Sequence, residues 1–174
     1  MHSFYWETVY FDCKKMQPKI VEITERKLIG MKMTTSISEN RTFELWRKFK
    51  PRVGEIQHRK NADFYSVQIY TGGLKFTEFT PLTKFEKWAA VEVLDFADIP
   101  PGIDCHTLTG GKYAVFILRG LHSKTLKTMQ SIFTDWLPNS EFDFDDREQF
   151  EIMSDKYLGP NDANSEEEIW IPIK

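Results

Sequence analysis

The chain has 174 residues, 23 basic and 26 acidic, for a formal net charge of −3, with 41% hydrophobic and 28% charged residues. That is the length of one ordinary domain or two fused halves. It is too apolar for bulk disorder and too weakly basic to be drawn to phosphate backbones, so direct DNA binding is not expected.

Residues 1–18 form an aromatic-rich leader (Phe4, Tyr5, Trp6, Tyr10, Phe11) ending at Pro18. It lacks the cationic start, apolar run and small-residue cleavage site of a secretion signal. No run approaches the ~18 apolar residues of a membrane span. Cys13 and Cys105 lie outside any CxxC pattern and read as reduced thiols, which fits a cytoplasmic protein.

Lys19 to Thr35 is rich in β-branched residues and Met, and predicts a strand or bent strand pair. Ser36 to Asn40 supplies cap residues, and Phe43, Leu45, Trp46 and Phe49 follow at helical spacing until Pro51. Phe64 to Tyr70 reads as a strand closed by Gly72-Gly73, and Lys87 to Val93 as another. Ile99-Pro100-Pro101-Gly102 breaks the chain.

The second half runs in the same order. Tyr113 to Leu118 predicts a strand ended by Gly120. Ser123 caps a helix carrying Leu126, Met129, Phe133, Trp136 and Leu137, which Pro138 stops. Phe150 to Ser154 and Ile169 to Ile173 give two further strands.

The halves align by subtraction. Leu45, Trp46, Phe49 and Pro51 map onto Ile132, Phe133, Trp136 and Pro138 at a spacing of 87, Phe64 onto Phe150 at 86, and Trp88 onto Trp170 at 82. The expectation is an α+β fold of duplicated βαββ units, about 19–98 and 103–174, in one antiparallel sheet. Both helices would cover one face and leave a groove on the other.

Side chains alternate along a strand. Val91, Val93 and the isoleucines of 169–173 are assigned to the helix face. That leaves Trp88, Glu92, Trp170, Glu151 and Met153 opposite, with Tyr65 as the first-half counterpart of Glu151. Flat aromatic faces beside carboxylates suit an amphipathic or cationic organic molecule, and a carboxylate inside such a groove is costly to bury empty.

Recognised catalytic patterns are missing. The four histidines (His2, His58, His106, His122) show no HExxH or HxH spacing, and no GxSxG, P-loop or GxGxxG occurs. No metal site and no cofactor are expected.

KWAAVEV before a Pro-Pro-Gly break, GGKYAVFILRG, TDWLP, QFEIMSDKY and the terminal EEEIWIPIK together resemble the GyrI-like small-molecule-binding family, from about Pro18 to Lys174. This is the gyrase-inhibitor-like fold, also the effector-binding domain of AraC-type and MerR-type regulators. The resemblance implies SHS2-type repeats around a groove that takes hydrophobic or cationic compounds, with Glu151 matching the family's acid and Trp88 a stacking aromatic. It implies a stand-alone binder linked to transcription regulation and multidrug recognition.

The alternatives are a hydrolase of strained cyclopropane-bearing toxins, with Glu151 as its acid–base group, and a gyrase-binding inhibitor. A homodimer and a regulator or gyrase partner are compatible with the resemblance. The leader, outside the shared pattern, is expected to fill or lid the groove.

Overall fold

The computed structural model describes residues 17–70 and 78–174, so residues 1–16 of the leader and the expected Gly72-Gly73 turn lie outside the described residues. In chain order the elements are β1 (Lys19–Ile23), β2 (Arg26–Thr35), α1 (Thr42–Phe49), β3 (Arg59–Ile69), β4 (Phe85–Val93), β5 (Asp104–Leu108), β6 (Gly111–Arg119), α2 (Thr125–Ser131), β7 (Gln149–Met153) and β8 (Glu166–Pro172). The eight strands form one sheet in the order β1-β6-β8-β7-β3-β4-β2-β5, antiparallel throughout.

The order reads the same from both ends under the exchange β1/β5, β2/β6, β3/β7 and β4/β8, with the β3–β7 pair at the centre. Each half therefore has one strand more than βαββ, and its first strand leaves to pair with the other half. β1 lies on β6, and β5 lies on β2. Two strands occupy 19–35, as the second of the two readings of that stretch expects, but they pair with other strands and not with each other. β5 was not anticipated, because DCHTL is a polar edge strand with one buried apolar residue, Leu108.

Both helices pack on one face. α1 covers Ile29, Ala89, Val91 and Val93 through Leu45 and Phe49. The helical segment that begins with α2 covers Ala114, Phe116, Leu118, Ile169 and Ile171 through Ile132 and Phe133. Around Pro51 and before Pro138 the helices loosen into a 3₁₀ turn (Lys50–Glu55) and a π turn (Ile132–Trp136), since proline supplies no N–H to an α-helical ladder. Phe43 and Leu126, both expected in the core, are 78% and 60% exposed. At Gly30, any Cβ would run into the backbone and Cβ of Ala90 on β4, so β2 can lie there only as glycine.

The helix-free face is closed by its own curvature. His106 on edge strand β5 bonds Glu148, beside β7 and four places away in the sheet order, at 2.9 Å. The sheet therefore curls round and buries Leu28, Tyr65, Trp88, Tyr113, Phe150 and Trp170 against one another. An open groove of exposed tryptophans does not form there: Trp88 is 2% exposed.

Candidate functional site

On the helix-free side, Phe150 and Trp170 face each other across the β7–β8 ladder and stack at 5.1 Å and 18°. Tyr113 meets both rings edge-on. The Arg26 guanidinium lies 5.2 Å from the Trp170 centroid and donates to the Tyr65 hydroxyl at 2.8 Å. Tyr65 in turn donates to Glu92 at 2.7 Å, and Lys60 reaches the other Glu92 oxygen at 2.8 Å. A cleft of about 330 Å³ opens beside these groups. Each charge in this network has a partner supplied by the chain, and Trp170 already carries a ring on one contact and a cation on another.

Trp88 repeats the pattern. Its indole N–H donates to Glu86 and Lys32 lies 5.2 Å from the ring, as Trp170 donates to Glu168 beneath Arg26. A Glu-x-Trp triplet in each half, Glu86–Trp88 and Glu168–Trp170, was readable in the sequence and carries this chemistry.

Glu151 is not on this side. It pairs with Ser66 on β3 and Ile169 on β8, and Ile169 belongs to the core beneath the second helical segment. Met153, of the same parity, pairs with Phe64, which packs on the α1 side. The assignment of Glu151 and Met153 to the helix-free face is therefore corrected. The spacing of 86 for Phe64 and Phe150 differs from the structural one by an odd step, because Phe150 lies with Val67 on the helix-free side and Phe64 packs on the α1 side. One residue of slip inverts every side chain.

Where Glu151 does sit, polar groups collect on the helix side over the central strands, between the two apolar cores. The Lys87 Nζ is 3.6 Å from Glu151 Oε2, and the residues are 4% and 6% exposed. That separation is ion-pair range but too long for a hydrogen bond. No hydrogen bond joins the two groups. Glu167, equally buried on β8, accepts from Thr125 at 3.0 Å and contacts His122 Nδ1 at 3.1 Å. That contact holds the His122 pKa above its ordinary value; the Glu151 charge adds to the rise, while burial and Lys87 oppose it.

Two tyrosines feel the same charges. Burial, then Glu151, raises the Tyr70 phenol, which donates to Gln68 at 3.0 Å. Burial, then Glu167 and Glu151, pushes Tyr157 up to about 12. Tyr70 lies among Phe79 and Phe85 at 5.5 and 5.1 Å.

Of the six residues singled out in the sequence, Tyr65, Trp88, Glu92 and Trp170 share the helix-free side and Glu151 and Met153 share the other. Lys87 and Glu167 carry no site signal in the sequence, because a charged residue near a strand end reads as solvated. Among the described residues no group of three His, Cys, Asp or Glu is disposed to hold a metal, and no helix is long and apolar enough to cross a membrane. Cys105 is free and exposed, while Cys13 lies outside the described residues.

Comparison with known proteins gives a family-model match, the GyrI-like small molecule binding domain, over residues 16–174. The transcriptional regulator BrlR of Pseudomonas aeruginosa is 26% identical over 161 residues, which is 92% of this chain and 56% of the regulator. The chain thus spans about half the length of that relative. Among solved structures, SAV2435 bound to tetraphenylphosphonium superposes with a TM-score of 0.66 at 18% identity, covering 91% of this chain and 94% of that one. The EcmrR C-terminal domain gives 0.64 at 14% identity over 92% and 98%. At these identities the structural likenesses show the fold.

Proposed function

Since this chain belongs to the GyrI-like small-molecule-binding family, we propose that it holds a hydrophobic, aromatic cation between its two helical segments, against Glu151. One observation carries the reading: Glu151 and Lys87 are buried, yet 3.6 Å apart and without a mutual hydrogen bond. Burying two ions costs several kcal/mol unless close hydrogen bonds offset it, and a ligand that brings a partner to Glu151 supplies that offset. Tyr70 packs on Phe85, which shares the face of Lys87 two residues along β4, and aromatic surface beside a buried charge attracts cations.

Glu92 does not compete for this role, because Tyr65 and Lys60 already satisfy it. In the cell the binding would serve sensing or sequestration of such compounds, coupled to transcription regulation. The relation to BrlR supports that reading, as does the tetraphenylphosphonium bound to SAV2435.

Isothermal titration with tetraphenylphosphonium tests it. Glu151→Gln should weaken binding by about tenfold or more, the loss of one buried charge interaction. Glu92→Gln should change it little. Equal losses, or a larger loss in the Glu92 variant, would remove Glu151 from the site.

A further inference from the structure

The acid of this site has a cation of its own. Lys87 projects from β4 to the helix side, opposite Gln68 on β3 and Met33 on β2, and its ammonium is the group nearest Glu151 among the described ion pairs. Neither residue is a surface charge leaning inward, since their side chains are 5% and 8% exposed. Glu151 is the one carboxylate that Lys87 pairs with among the described residues, and the pair is more deeply buried than Lys32 with Glu86 or Lys60 with Glu92.

A monocation brought to Glu151 therefore meets a like charge a few ångströms behind its counter-ion. In a low-dielectric site that repulsion offsets much of the attraction. A molecule carrying an anionic group as well as its cationic centre meets no such conflict. Its cation lies on Glu151, its anion lies on Lys87, and both buried charges gain a close partner.

We propose that Lys87 is a specificity-determining residue of this site, and that it selects aromatic zwitterions over simple aromatic cations. The inference rests on the reading of Glu151 as the ligand's acid. It adds a second recognition point, about one ion-pair length away, and with it a narrower ligand class.

Two probes of nearly equal aromatic bulk separate the outcomes. Butyltriphenylphosphonium is a permanent monocation, and (4-carboxybutyl)triphenylphosphonium is a zwitterion at pH 7. Titration calorimetry should show the wild-type chain binding the zwitterion about tenfold tighter than the monocation. Lys87→Met should reverse that order, gaining affinity for the monocation and losing it for the zwitterion. Lys87→Gln, which keeps a polar side chain beside Glu151, should give the same reversal if the Met variant folds poorly.

An unchanged order in wild type and both variants would overturn the role of Lys87 while leaving Glu151 as the acid, provided Glu151→Gln still weakens both probes. Binding that ignores Glu151 would instead overturn the site itself, and this inference with it.

Discussion

Phe150 stacks on Trp170 with centroids 5.1 Å apart and planes 18° from parallel. That contact fixes the parity of β7: with Phe150 on the helix-free side, its neighbour Glu151 must face the helices. The functional reading follows from this geometry, because it separates an acid whose hydrogen bonds are complete, Glu92, from one facing a buried lysine.

The stack should also be a large contributor to stability. Trp170→Ala removes contacts with Phe150, Tyr113 and Arg26 together. Truncating a buried tryptophan costs about 3–5 kcal/mol, so urea unfolding should show a markedly lower midpoint. A change within experimental error would mean that the curled face is not a packed core.

The Arg26–Tyr65–Glu92 chain is expected to be structural. Tyr65→Phe deletes the hydroxyl that joins the other two groups and leaves Glu92 with Lys60 alone. The expected loss is about 1–2 kcal/mol of stability, with affinity for tetraphenylphosphonium unchanged. A large loss of affinity at intact stability would place the ligand on the helix-free side.

Much of this was legible in the sequence, and the part that was not has a physical cause. The faces of β4 and β8 were read correctly, because valines and isoleucines on one side alternate with tryptophans on the other. β7 could not be read the same way. In Phe150-Glu151-Ile152 the apolar residues suit either side, since the curled sheet has an apolar core on both. Curvature itself left no signal: a sheet that closes on its own aromatics has the same alternation as one that exposes them. Lys87 shares the parity of Val91 and Val93, but a lysine at the start of a strand carries no sign of burial in the sequence, since lysines are almost always exposed.

Stability should fall as pH rises through the His122 titration. The Glu167 contact raises the folded-state pKa of His122 above its ordinary 6.5. The protonated form is thus favoured by folding. This contribution is complete below the unfolded pKa and is lost as pH climbs past the folded one. Melting temperatures across pH 5–9 should decline over that window, and His122→Asn should flatten the decline. Glu151 and Lys87 act on the same imidazole in opposite senses, so Lys87→Met should move the decline to higher pH.

Gly30→Ala offers a test of the sheet independent of any ligand. The added methyl would meet Ala90 Cβ at 2.6 Å, and the Ala89 carbonyl closer still. β2 would have to part from β4. Overpacking of this kind costs about 1–3 kcal/mol or more, and thermal unfolding should show it. A variant as stable as wild type would contradict the β2–β4 register at Gly30 and Ala90.

The most direct test of the account is a crystal structure of the chain with tetraphenylphosphonium bound. The ligand should lie between the two helical segments, with a phenyl ring or the phosphonium centre against the Glu151 carboxylate and Lys87 displaced from its 3.6 Å contact. Density for the ligand beside Tyr65, Glu92 and Trp170, with Lys87 and Glu151 undisturbed, would contradict it.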